Sequence, residues 1–454
     1  MGRGMRFLPE RGEVAAAVIG LGHVGSALAA ALAERGVNVV GIDVDAALVA
    51  ELDSRHCRYK EPGLAKLLAE TLDSGRLRVS TDYTAVSAVD VVIVTVGTPV
   101  GAGGALMPGQ LRGVCAELAE RIRPGQLLIF KSTVPPGTTR EIVGPLLERG
   151  GLTCGEDFGL AFCPERLAEG AALRDLISIP IVVGGWCSHS TDAAAEFWRL
   201  GIGVETIRAS SLDSAEMVKL ADNWWIDHNI AMANELAKLC AALDIDVVEV
   251  IAAANSMRKG DGSINILLPS VGVGGSCLTK DPWMVWRAAG DRGIELTTIP
   301  VARDVNDGMP AYTVQLIHEE LGRTGKRMSA AKVAILGLAF KNNTGDLRAT
   351  PTLPVVTALR EAGAEVRVFD PLADPDAVTR MFGIAPATSV QEAAADADCV
   401  AVLARHDEFD KIEFAALREL VAPSCAVIDG RAYYPAETID LLRRLGFAYR
   451  GIGR

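Results

Sequence analysis

The chain has 454 residues, enough for two to four domains that each bury a core. It is 49% hydrophobic and 22% charged, with a net charge of −12, which argues against a general nucleic-acid or anionic-membrane surface. Any anionic ligand must therefore find a local basic pocket. Nine cysteines (57, 115, 154, 163, 187, 240, 277, 399, 425) include no CxxC pair. That is the distribution of a reduced, cytoplasmic chain without a disulfide framework or a metal site.

Residues 1–13 lack the continuous apolar stretch of a signal peptide. Residues 14–33 carry no formal charge and are long enough to span a bilayer, but three glycines and a histidine divide them into strand, turn and helix. No membrane span is expected. The predicted strand 13–19 runs into Gly20, Leu21, Gly22, His23, Val24 and Gly25, followed by a helix over 26–35 and a second strand over 37–42 ending in Asp43. Such a glycine motif is weak alone. Placed between strand and helix, with an acid 23 residues beyond Gly20, it is the fingerprint of a dinucleotide site. Asp43 would accept from ribose hydroxyls and repel a 2′-phosphate, which favours NAD over NADP.

Glu61-Pro62-Gly63-Leu64 opens a helix to about 72. Strand 89–96 ends in Gly97-Thr98-Pro99, and strand 126–130 ends in a run from Lys131 through Ser132 and Thr133 to Thr138. Ligands of open parallel sheets lie beyond the carboxyl ends of strands, so both ends should line the nicotinamide side. Each alone is more often only a turn. Glu165, Arg166, Leu167 and Glu169 sit in PERLAEG, which without context reads as a solvated acidic turn. Strand 179–185 closes the first domain near 210.

Residues 213–243 predict one helix about 45 Å long. Asp213 and Glu216 read as a capping box. Val218, Leu220, Ala221, Trp224, Trp225 and Ile226 are too many for one stripe, so the helix is a spine between domains or a dimer seam. Lys219, Asn223 and Asp227 follow at spacing four, with Asn234 and Glu235 beyond. Next comes Gly272-Val273-Gly274-Gly275-Ser276-Cys277-Leu278-Thr279-Lys280-Asp281-Pro282. Three glycines permit positive φ and close approach to a ligand. Asp281 and Pro282 read as N-cap and first residue of a helix over 283–289, with a Cys277 thiolate favoured by its dipole and by Lys280.

Gly322, Gly325, Lys326 and Arg327 read as a linker. Residues 332–341 then echo 17–22, and 364–370 echo 37–43, with further strands at 400–403 and 426–429. The tail is a second doubly wound domain with a degraded glycine motif. Lys341 and Arg348 put positive charge at strand ends, suited to a diphosphate. The fold class is α/β: two Rossmann-like doubly wound domains joined by a long central helix. The expected boundaries are 1–210, 211–322 and 323–454.

With GLGHVG, EPGL, VGTP, STVPPGT, PERLAEG, AEMVKLADN, GVGGSCLTKDP, GLAFKNNTGDLR and VIDGR in order, the chain resembles the nucleotide-sugar 6-dehydrogenases, over nearly its whole length. The resemblance implies an NAD-binding domain, a central helix forming a homodimer core and a C-terminal UDP-sugar domain. It further implies a four-electron oxidation of the sugar C6 alcohol to a carboxylate, in uronic acid and polysaccharide biosynthesis. Catalysis would fall to Cys277, Lys219, Asn223, Glu165 and Asp281. Gly20, Gly22, His23, Val24, Gly25, Asp43, Gly97, Thr98, Pro99, Ser132, Thr133, Glu169, Lys280 and Arg348 would serve NAD. Glu165, Arg166, Leu167, Lys219, Asn223, Arg258, Gly272, Gly274, Lys341 and Arg431 would meet the substrate.

Val273 stands where the UDP-glucose and GDP-mannose branches typically show Phe. Arg166 and Asp281-Pro282 resemble the branch acting on UDP-N-acetyl-mannosamine or UDP-N-acetyl-glucosamine, which is favoured here. Ser276 and Lys280 are shared with the UDP-glucose branch, the alternative. A two-electron hydroxyacid dehydrogenase and a redox-silent nucleotide-sugar-binding protein remain as other classes. Two NADH per sugar, one or none would separate the three.

Overall fold

The computed structural model describes residues 7–8, 14–260 and 262–454. Most of the expected leader-free start, including Glu13 of the first strand, lies outside them. The fold clusters into two units, Met1–Asp222 with Trp283–Ile294 and Asn223–Pro282 with Glu295–Arg454. Among the described residues no helix is long and apolar enough to cross a membrane.

In the first unit, β1 (Ala15–Ile19) passes through Gly20, at φ 92°, into α1 (His23–Glu34). The helix starts earlier than expected because the glycine turn is already helical at its end: Ser26 N donates to Gly22 O at 2.9 Å. The strands β2 (Asn38–Ile42), β3 (Leu77–Ser80), β4 (Val91–Val94), β5 (Leu127–Phe130), β6 (Gly159–Phe162), β7 (Ile181–Gly185) and β8 (Thr206–Arg208) complete an eight-stranded sheet. Its order is β3-β2-β1-β4-β5-β6-β7-β8, the dinucleotide order with its switch point between β1 and β4. Strands β4 and β5 are buried throughout, as apolar runs covered on both faces must be. One departure from a parallel sheet is β7, antiparallel to β6. Antiparallel neighbours need no crossover over a sheet face, and only the PERLAEG turn and a short helix (Ala172–Ser178) separate the two.

After α2 (Ser188–Gly201), α3 (Leu212–Ala242) runs 31 residues, and the boundary between the units falls within it. The expected capping box is absent. Asp213 already lies inside the helix, too far along for Glu216 to reach back, and Ser211 caps instead, its Oγ accepting from Ser214 N at 3.1 Å. Glu216, 1% exposed, accepts from Gly137 N at 2.6 Å and Thr139 N at 2.7 Å.

Beyond the hairpin of β9 (Arg258–Lys259) and β10 (Gly262–Ser263) come α4 (Asp281–Gly290), α5 (Thr298–Asp307) and α6 (Met309–Arg323). Gly322 lies inside α6, which corrects the linker reading: the helical bonds continue to Arg323, and only Gly325, at φ 73°, turns the chain away. Strands β11 (Lys332–Leu336), β12 (Glu365–Phe369), β13 (Cys399–Val402), β14 (Ala426–Asp429) and β15 (Ala448–Gly451) form an all-parallel sheet ordered β12-β11-β13-β14-β15. The second unit is thus another doubly wound sheet. The polar edge of α3 anchors to it. Asp227 accepts from Arg303 at 2.7 Å and from Asn306 at 2.9 Å, and Asn234 donates to Asn306 at 2.9 Å and accepts from Ser270 N at 2.8 Å.

Candidate active site

The glycine turn of the first unit is shaped by two opposite demands. A Cβ at Gly25 would lie 1.8 Å from Gly20 O, so helix and turn meet only without one. A Cβ at Gly22 would meet nothing within 4 Å, so that glycine keeps an approach open rather than a contact. Asp43, at the end of β2, accepts from Leu21 N at 2.6 Å and Asp45 N at 2.9 Å. At the ends of β4 and β5, Thr98 Oγ1 donates to Thr133 O at 2.6 Å, joining the two segments expected beside the nicotinamide. Ser132 Oγ is buried with no hydrogen-bond partner among the described residues, an atom suited to a ligand. An open glycine turn, a strand-end carboxylate and an orphaned hydroxyl fit NAD. Gly97 and Pro99 flank Thr98, and Val24 is the second residue of α1.

Glu61, quoted in EPGL but given no role by the sequence, ties three motifs together. Its buried carboxylate pairs with His23 Nε2 at 2.9 Å and accepts from Gly170 N at 2.8 Å and Ala172 N at 2.7 Å. This fixes PERLAEG as an ordered loop. Glu169 and Leu167 are half-buried in it. Arg166 is held by Asp222 at 3.0 Å and Pro180 O at 3.3 Å. Glu165 Oε1 accepts from Leu167 N at 2.7 Å, whereas its buried Oε2 makes no hydrogen bond among the described residues and lies 3.6 Å from Lys131 Nζ. Lys219 is half-buried on α3, and among the described residues no ion pair or hydrogen bond holds its ammonium.

In the second unit the glycines of the cysteine loop answer to packing. Cβ atoms at Gly272 and Gly274 would lie 3.0 Å from Asn306 O and 2.5 Å from Ala349 O, and one at Gly275 would lie 2.6 Å from the Phe340 ring. Gly275 N donates to Arg348 O at 3.0 Å, so the loop lies against the segment after β11. Cys277 is exposed, and its carbonyl accepts from Lys280 N at 3.0 Å and Asp281 N at 2.8 Å at the start of α4. Asp281 is the first residue of α4 and 0% exposed. Its carboxylate does not cap the helix: it accepts from Asn223 Nδ2 and Lys280 Nζ, both at 2.5 Å. The loop, the α3 amide and the lysine thus meet at one buried acid. Lys280 faces that acid and not the thiol.

The remaining predicted groups of this unit divide. Arg258 is exposed on β9. Lys341 is half-buried after β11. Arg348 is paired with Asp346, and Arg431 donates to Leu403 O and Phe340 O, both at 2.9 Å, clamping the same segment. Asp370, the counterpart of Asp43, accepts from Leu338 N at 2.7 Å and pairs with His406 Nε2 at 3.0 Å; both side chains are fully buried. The imidazole thus engages an oxygen of the carboxylate that echoes Asp43. Sequence echo alone gave no sign of it, because His406 lies 36 residues away.

Comparison with known proteins agrees with this geometry. Models of the UDP-glucose/GDP-mannose dehydrogenase family match along the chain: the NAD binding domain over residues 14–200, the central domain over 213–308 and the UDP binding domain over 334–436. The UDP-glucose 6-dehydrogenase of Haloferax volcanii is 35% identical, over 91% of this chain and 96% of its own length. The UDP-N-acetyl-D-mannosamine dehydrogenase of Pyrococcus horikoshii is 31% identical, over 96% of this chain and 99% of its own. A solved structure of the UDP-D-ManNAc dehydrogenase from that organism superimposes with a TM-score of 0.86, covering 97% of this chain and 99% of that one.

Proposed function

The chain belongs to the UDP-glucose/GDP-mannose dehydrogenase family, and from that premise we propose that it oxidises the C6 alcohol of a UDP-sugar to a carboxylate with two NAD. The observation that carries the reading is the exposed Cys277 thiol followed by a buried Asp281 that orients Asn223. Bound NAD, held by the Gly20–Gly25 turn, Asp43 and the Thr98 and Ser132 strand ends, supplies the electron-pair acceptor. The residues do the rest. Cys277 sulfur adds to the C6 aldehyde, the proton passing to the carbonyl oxygen, so the aldehyde stays bound as a thiohemiacetal. Lys219 and Asn223 donate to the oxygen that gains charge. Asp281 holds the Asn223 amide in place. After the second oxidation the sugar is a Cys277 thioester. Glu165 takes a proton from water, the water oxygen adds to the acyl carbon, and the C–S bond breaks to return the thiol.

The test is stoichiometric. Wild type should give two NADH per sugar. Glu165→Ala should form close to two NADH per active site and stall, with the nucleotide-sugar acyl group on Cys277 by intact mass. Normal turnover by Cys277→Ala would end the covalent scheme.

Val273 and Arg166 support a UDP-N-acetylhexosamine as substrate; the Haloferax relative, named for UDP-glucose, keeps UDP-glucose as the second reading. A UDP-sugar panel followed by NADH absorbance separates them. On α3, Trp225, Met232 and Leu239 are exposed at spacing seven, the pattern of a helix–helix seam, and support a homodimer. Trp225→Glu should give a monomer by light scattering. Nine free thiols support a cytoplasmic location. Boundaries near 210 and 322 are supported by the gaps between the three family matches.

A further inference from the structure

Lys131 directly follows β5 and is 3% exposed, an expensive place for an ammonium unless it is paired. Its surroundings offer little. Nζ donates to Cys163 O at 3.3 Å and lies 5.1 Å from the centre of the Trp198 ring. Among the described residues, the carboxylate that pairs with it is Glu165, whose Oε2 is 3.6 Å away. That separation suits an ion pair and exceeds a good hydrogen bond. The two oxygens of Glu165 are therefore unequal. Oε1 is fixed by Leu167 N at 2.7 Å, and Oε2 is steered by charge while its lone pairs stay uncommitted. Beside them lies a space of about 20 Å³, lined by Lys131, Glu165, Arg166 and Ile181 among others.

Resting on the proposed hydrolytic role of Glu165, we infer that Lys131 is the positioning residue for that step. It holds Glu165 with Oε2 free to accept a proton from the water that cleaves the Cys277 thioester. It takes no part in the alcohol and thiohemiacetal oxidations. A packing lysine would affect all steps alike; a lysine acting through Glu165 affects only the last.

Full-length Lys131→Met is mixed rapidly with NAD and UDP-N-acetyl-mannosamine, or with UDP-glucose if the panel selects it. The initial burst should stay near two NADH per active site, while steady-state turnover falls about tenfold or more and acyl-Cys277 accumulates. Lys131→Gln, which keeps a donor, should recover part of the loss. In a Glu165→Gln background, Lys131→Met should change hydrolysis no further. Equal slowing of burst and steady state without an adduct would overturn the inference, as would loss of folding by both lysine variants. Stalling by Glu165→Gln but not by Lys131→Met would overturn it alone. Normal hydrolysis by Glu165→Gln would remove the glutamate's role and this inference with it.

Discussion

Glu216 should make the first unit lose stability as pH rises. Burial lifts its carboxyl from the usual 4.5 to about 7, against the hydrogen bonds from Thr139 and Gly137 that favour the charged form. The folded chain therefore binds a proton that the unfolded chain has already released between these two values. The associated stability is complete below about pH 4.5 and lost as pH rises through about 7, a change of roughly 3 kcal/mol at about 1.4 kcal/mol per pH unit. Glu216→Gln removes the titration. Its amide accepts one of the two N–H groups and turns a donor toward the other, at a pH-independent cost of about 1–3 kcal/mol. Calorimetric melting of both proteins at about pH 5 and about pH 8 should show the mutant's deficit shrinking by on the order of 5–10 °C. A deficit of the same size at both values would show that Glu216 stays ionised in the fold, and the argument from its burial would be wrong.

Two glycine substitutions should part stability from cofactor binding. Gly274→Ala, whose Cβ would lie 2.5 Å from Ala349 O and 2.6 Å from Phe340 Cβ, should cost about 1–3 kcal/mol in a denaturant melt. Gly22→Ala, with nothing within 4 Å of its Cβ, should melt normally yet raise KM for NAD about tenfold. Asn223→Ala should lower kcat about a hundredfold with NAD affinity unchanged by calorimetry, since the proposed mechanism gives its amide to the reacting oxygen. Asp43→Ala should narrow the preference for NAD over NADP by about tenfold or more in kcat/KM, because the repelling carboxylate is gone.

What the sequence determined by itself is what is written in neighbouring residues. Strand, glycine turn, helix and Asp43 follow within about thirty positions, so periodicity and spacing suffice to read a dinucleotide fold there and its echo in the tail. The long helix, too, was legible, since its propensity and apolar excess are local. Tertiary structure decided what each polar group does. Glu216, spaced like half of a capping box, is turned to amides 77 and 79 residues away, because the helix starts too early for the box to close. Asp281, spaced like an N-cap, is buried against an amide 58 residues distant. The loop glycines, expected to serve a ligand, are required by Phe340 and the backbone at Ala349. Lys131, next to Ser132 in the chain, lies 3.6 Å from Glu165, a pairing that no local spacing encodes. A buried polar group must find a partner, but the chain supplies many at similar cost, and only the packing of apolar faces fixes which of them comes within reach.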